Sequence, residues 1–195
     1  MSQNPLKIGV IIGSVRPGRF GSTVADWFLT EIGKRDDMEV HVIDLAEPAL
    51  VAELKLDYDA SGAPADGPNL ARRLEGQDGF VIITPEYNHG YAAALKLAID
   101  YGYSGWRAKP VSFVSYGGMA GGHRAVEQLR QVFGELHVAT LRDTVSFHDA
   151  WERFDDNGRP HDEDGTAKAA SVLLDQLAWW GVTLREGRAA RPYEG

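Results

Sequence analysis

Cysteine is missing from the 195 residues of this chain, and that one absence removes several chemistries at once. No disulfide framework, thiolate nucleophile, iron–sulfur cluster or Cys-ligated zinc site can form. Any redox chemistry must come from a bound cofactor. Long hydrophobic runs are missing as well. The start, residues 1–5, is short and polar, and the first apolar run, 8–12, is far too brief for a signal segment or a membrane span. The cytoplasm is therefore the expected compartment. Positive charge is scarce: 20 Lys and Arg against 28 Asp and Glu leave a net charge of -8. That balance opposes general binding to nucleic acid or to an anionic membrane, although a local basic loop can still take a small anionic ligand. Metal ligation is poorly served too, because His41, His89, His123, His137, His148 and His161 are scattered without ligand spacing.

What the chain does have is a regular alternation of short apolar runs and helical patterns, at a length suited to one domain over residues 1–195. Residues 7–13 are β-prone and close on Gly13, as expected of a strand buried on both faces of a parallel sheet. Val24, Trp27, Phe28 and Ile32 then recur at helical spacing before Gly33. Further strands are expected at 40–45, 80–84, 111–116 and roughly 136–141. Helices are expected at 69–75, 91–101, 122–135 and 164–180. Such an order predicts βαβ crossovers and a parallel sheet. Two stretches break the rhythm, 46–67 and 143–160, and residues 189–195 read as a loose tail. Trp27, Trp179 and Trp180 fall on helical segments and are expected in core or subunit contacts; Trp106 and Trp151 fall in loops.

Ligands of open parallel sheets bind beyond the carboxyl ends of the strands, and three loops there stand out. The first, Gly13-Ser14-Val15-Arg16-Pro17-Gly18-Arg19-Phe20-Gly21-Ser22-Thr23, leads into a helix N-terminus. Free N–H groups and the helix dipole favour an anion at that end. Arg16 and Arg19 can fork onto phosphate oxygens, and the hydroxyls of Ser14, Ser22 or Thr23 can add bonds. The expected ligand end is a phosphate monoester; the plainer alternative is a solvated turn in which Ser22 or Thr23 serves only as a cap.

The second loop, Thr84-Pro85-Glu86-Tyr87-Asn88-His89-Gly90, offers a flat apolar face in Tyr87 and donor and acceptor groups in Asn88. A heteroaromatic ring with amide-like edges matches these groups and the loop backbone, while a simple proline turn with an asparagine cap is the alternative. His89 has no evident partner for acid–base work. The third loop, Ser115-Tyr116-Gly117-Gly118-Met119-Ala120-Gly121-Gly122, allows backbone to approach a planar ligand closely; a bare flexible connection is the alternative. Taken jointly, the loops fit a mononucleotide lying across the strand ends.

Nearby motifs fail. A P-loop needs Lys and Ser or Thr where Arg19 and Phe20 stand, and Arg16 occupies a glycine position of the Rossmann fingerprint, so Asp44 reads as a loop cap rather than a ribose ligand. No G-x-S-x-G elbow is present to support a hydrolase.

The three loops resemble those of the NADPH-dependent FMN reductases, a family that includes chromate, quinone and azo-dye reductases. Gly13-Ser14-Val15-Arg16-Pro17-Gly18-Arg19 is similar to the family's phosphate loop, Pro85-Glu86-Tyr87-Asn88 to its most specific motif, and Ser115-Tyr116-Gly117-Gly118 to its third flavin loop. The resemblance runs from the first strand to the final helix. It implies a flavodoxin-like three-layer α/β sandwich with strand order 2-1-3-4-5, noncovalent FMN, NADPH or NADH as electron donor, and a homodimer or a tetramer of dimers. The implied cofactor-binding residues are Ser14, Arg16, Arg19, Phe20, Gly21, Ser22, Pro85, Glu86, Tyr87, Asn88, His89, Ser115, Tyr116, Gly117 and Gly118. Gly21 stands where some relatives carry a polar side chain. The implied activity is ping-pong hydride transfer to a flavin, quinone, azo or metal-ion acceptor, with no catalytic side chain required. The alternative is a flavodoxin-type electron carrier without its own NADPH turnover.

Overall fold

A computed structural model of the chain describes residues 4–54 and 70–194. Residues 1–3, 55–69 and 195 lie outside them, among them the 55–67 part of the first rhythm-breaking stretch and the first position of the helix expected at 69–75. Five parallel strands, β1 (Leu6–Ile12), β2 (Met38–Asp44), β3 (Gly79–Pro85), β4 (Pro110–Tyr116) and β5 (Ala139–Phe147), form one sheet in the order 2-1-3-4-5. Every residue of β3 and β4 is buried, which is why these strands read as unbroken apolar runs.

The pleat divides each central strand between two layers. Val10, Val81 and Val114 face one core with Val24 and Phe28 of α1 (Gly21–Ile32) and Leu174 of the last helix. Ile11, Ile82 and Phe113 face the other, with Leu50 of α2 (Pro48–Glu53), Leu74 of α3 (Leu70–Glu75), Leu95 of α4 (Ala93–Tyr101) and Phe133 of α5 (His123–Glu135). The last helix, α6, runs over Glu163–Ala190. Among the described residues no helix is long and apolar enough to cross a membrane.

Four expectations need correction. β5 lies later than 136–141 because α5 closes through Leu136 and the left-handed His137, with Val138 N–H bonded back to Phe133 O at 3.1 Å. The strand then continues through Arg142-Asp143-Thr144, polar residues that suit an edge position. α6 passes its expected end at Trp180 and takes in Ala189 and Ala190, because Gly181 is not a stop: a Cβ there would lie 2.9 Å from Leu6 Cδ1. The first irregular stretch contains α2, with proline at its start, where the missing N–H is harmless. Trp106 sits in a short 3-10 turn, fully buried, donating its indole N–H to Ile99 O at 3.0 Å. It belongs to the core, whereas Trp179 and Trp151 are exposed.

Candidate functional site

The carboxyl ends of β1, β3 and β4 are neighbours in the sheet, so their three loops emerge at one edge. Gly13 N–H bonds Ile83 O at 2.9 Å, Glu86 N–H bonds Tyr116 O at 3.1 Å, and Gly117 N–H bonds Phe147 O at 3.2 Å. Backbone pairing thus fixes the root of each loop.

Loop one divides its two guanidinium groups between different tasks. Arg19 forks onto Asp44, with Nη1 to Oδ1 at 2.7 Å and Nη2 to Oδ2, and also donates to the carbonyl of Ser14. Hydrogen bonding to Asp44 holds the Arg19 guanidinium charged above its ordinary range. Burial works against the Asp44 charge, yet the Arg19 fork and the Ala46 N–H keep its carboxyl below the usual value. Asp44 is thus a cap, as its place at the end of β2 suggested, and an anchor for Arg19 besides. Arg16 is exposed and lies over the Tyr87 ring, 3.6 Å from its centroid, with no ion-pair partner among the described residues.

Phe20 occupies the N-cap of α1 by backbone only; its ring packs on Phe154 and Tyr116, with centroids at 5.4 and 6.3 Å. Among the described residues no side chain caps this helix, and its first turn carries no acidic residue. Ser22 turns its hydroxyl back to Arg19 O at 3.2 Å, and Thr23 makes no cap bond either. The N–H groups of Gly21, Ser22 and Thr23 therefore have no partner among the described residues.

Loop two is a tight turn. Tyr87 and Gly90 exchange backbone bonds of 2.8 and 3.0 Å, and Asn88 and His89 both take left-handed backbone, φ 51 and 69. Those are the two central positions of a type I′ turn, which asparagine fits well. Both side chains are exposed. Pro85 ends β3, and Glu86 is held by Arg124, whose Nη1 lies 2.8 Å and backbone N–H 3.1 Å from the carboxylate. Glu86 thereby covers the first turn of α5, a partnership for which the sequence carries no local signal. The Tyr87 hydroxyl meets that of the fully buried Ser14 at 2.6 Å, joining loops one and two.

Loop three is held by hydroxyls from the ends of β4 and β5. Ser115 Oγ and Ser146 Oγ both donate to Gly121 O, at 2.9 and 2.6 Å. Gly121 and Gly122 have positive φ, and a Cβ on Gly122 would stand 2.6 Å from Ser115 Cβ, so the loop can fold this closely only with glycine there. Gly118 O accepts the N–H groups of Gly121 and Asp149 at 2.9 and 3.1 Å, which places exposed Trp151 beside Gly118 and leaves Met119 open to solvent.

Donors dominate the start of α1. Three backbone N–H groups, the exposed Arg16 guanidinium and the Tyr116 hydroxyl, which is buried, have no hydrogen-bond acceptor or ion-pair partner among the described residues. Burial pushes the Tyr116 phenol above its ordinary range, so it remains a protonated donor. This set fits the terminal phosphate of a mononucleotide. Loops two and three offer the face of Tyr87 and glycine backbone to a planar ring. A cleft of about 410 Å³ between α1 and the start of α6 lies elsewhere, and its four carboxylates, Asp26, Glu31, Glu163 and Asp164, outnumber the cations Lys34 and Arg159.

Residues 6–152, which include all three loops, match the pattern of the family described as NADPH-dependent FMN reductase. An NAD(P)H-dependent FMN reductase of Schizosaccharomyces pombe is 40% identical over 142 residues, 68% of this chain and 68% of that protein. A 2-hydroxy-1,4-benzoquinone reductase of a Burkholderia species is 31% identical over 187 residues, 90% of this chain and 96% of the other. Among solved structures, the FerB flavoenzyme NAD(P)H:(acceptor) oxidoreductase of Paracoccus denitrificans superposes with a TM-score of 0.71 at 21% identity, over 91% of this chain and 98% of its own. That likeness bears on the fold.

Proposed function

The chain belongs to the NADPH-dependent FMN reductases, enzymes with FMN as cofactor and NAD(P)H as donor, and from that premise we propose that its three loops hold one FMN and catalyse ping-pong reduction of a small-molecule acceptor. The observation that carries this reading is the cluster of donors without acceptors at the start of α1, set beside an aromatic face and a glycine backbone.

Arg16 leaves Tyr87 to neutralise the phosphate, while the N–H groups of Gly21, Ser22 and Thr23 bond its oxygens. Arg19, committed to Asp44 and to the Ser14 carbonyl, acts mainly by setting the shape of the loop. The 86–90 turn and the backbone of Gly117 and Gly118 orient the ring and bond its polar edge, with Ser115 and Glu86 holding those backbones in place. FMN bound there would supply the redox chemistry, hydride acceptance from a reduced nicotinamide and electron donation to an acceptor. The protein needs only to orient the ring and leave one face open, and no side-chain nucleophile is involved.

Acceptors of the quinone, flavin, azo or metal-ion class suit an open face of this kind. The same reading takes the chain as one flavin-binding unit, cytoplasmic, assembling as a dimer or tetramer; exposed Val172, Trp179 and Trp180 give α6 an apolar surface for such contacts.

The test is the visible spectrum of the purified protein with FMN added, followed by NADPH without oxygen. Bound flavin that bleaches within seconds is the expected result. Bound flavin that stays oxidised would leave an electron carrier instead, and failure to bind flavin would remove the ligand assignment itself.

A further inference from the structure

A buried phenol and a glycine share one small space at the start of α1. Gly21 is the first helical residue, and a Cβ built there would lie 2.4 Å from Tyr116 Oη and 3.6 Å from Ser14 Cβ. Any residue but glycine would have to move the phenol aside. The tyrosine reaches this point from the far end of β4, is 6% exposed, and its oxygen has no partner among the described residues. The nearest hydroxyl, that of Ser14, is engaged with Tyr87 at 2.6 Å, and the ring's other neighbour, Phe20, is apolar.

Buried hydroxyls without an acceptor are uncommon in folded proteins. This one adjoins a 12-residue helix whose N-terminal amides also lack a capping side chain. The amides only donate, and the one neighbouring hydroxyl able to accept, that of Ser14, is already engaged with Tyr87, so the partner that suits the whole set is an acceptor with several oxygens. A phosphate monoester can receive the amides of α1 and a neutral phenol together, and bonds of a hydroxyl to an ionised oxygen are short and strong.

Resting on the FMN reading above, we propose that Tyr116 Oη donates to the flavin's terminal phosphate and that, with Gly21 leaving the room for it, this pair makes the site select FMN over riboflavin, the same ring without the phosphate. The side chain missing at Gly21 is thereby replaced from a different strand: the polar group comes from β4 rather than from the helix itself.

The parent, Tyr116→Phe and Gly21→Ala are each titrated with FMN and with riboflavin by quenching of flavin fluorescence, with circular dichroism to establish that each variant is folded. Tyr116→Phe keeps the ring and removes only the hydroxyl, so FMN affinity should fall about tenfold, as for the loss of one hydrogen bond to a charged group, while riboflavin affinity stays within about twofold. Gly21→Ala keeps the hydroxyl and displaces it, and should reproduce the same selective loss; it also carries the test if the phenylalanine variant does not fold. Equal weakening of both flavins, or no change in either, would overturn the proposal. A parent that binds neither flavin would overturn the reading on which it rests.

Discussion

The hydroxyls of Ser14 and Tyr87 meet at 2.6 Å although 73 positions of sequence separate them. The contact ties the loop after β1 to the loop after β3, and it lies beneath the guanidinium of Arg16. Removing either oxygen leaves the other without its partner. Ser14→Ala and Tyr87→Phe should each lower stability by about 1–2 kcal/mol, and a double-mutant cycle by urea unfolding should return a coupling of about 1 kcal/mol. A coupling near zero would mean that the two loops are held together by something else.

Arg16 separates binding from folding. It is exposed and, among the described residues, makes only a cation–π contact, worth roughly 0.5–1 kcal/mol at such sites. Arg16→Ala should therefore unfold within about 1 kcal/mol of the parent while FMN affinity drops about 10–100-fold, the range for a lost charge-assisted contact. Unchanged FMN affinity in a fluorescence titration would end the phosphate assignment.

Asp44 makes stability depend on pH in one direction. Its folded carboxyl lies below the ordinary value despite burial, because Arg19 and the Ala46 N–H stabilise the charge. A depressed carboxyl contributes its full stabilisation above the unfolded value of about 3.9 and loses it as pH falls through the folded value. Asp44→Asn should cost about 1 kcal/mol at neutral pH, since the pair is partly screened by solvent. The gap between parent and variant should persist down to about pH 5 and shrink below about pH 4 in urea unfolding. A gap as large at pH 3 as at pH 7 would show that the charge is not its origin.

Much of the fold was legible because β1, β3 and β4 are buried on both faces and so print continuous apolar runs. β5 was harder: Arg142, Asp143 and Thr144 interrupt it, and an edge strand needs fewer apolar residues. The loops could be found from their glycine, hydroxyl and arginine content, but not the partner each side chain takes. Arg19 is drawn to Asp44 and Glu86 to Arg124, 25 and 38 positions away, and no local pattern encodes such pairings. The same limit hid Trp106, whose loop position gave no hint that α4 supplies a carbonyl for its indole.

Gly122 tests how the third loop is built. With φ 89 and no space for a Cβ beside Ser115, Gly122→Ala should destabilise the chain by about 2–4 kcal/mol, combining backbone strain with a steric clash. Thermal unfolding measures this directly, and a loss under about 0.5 kcal/mol would mean that the loop relaxes freely.

With FMN held there as proposed, the uncapped beginning of α1 would tie the life of the polypeptide to its nutrition. The apoprotein leaves those amides and the phenol without a partner among the described residues, and a ligand that binds only the native state adds about 2.7 kcal/mol at a hundredfold excess over its Kd. Chains made while flavin is short would open more often and meet proteases in that state, so the cell's flavin supply would govern how many copies of the protein persist.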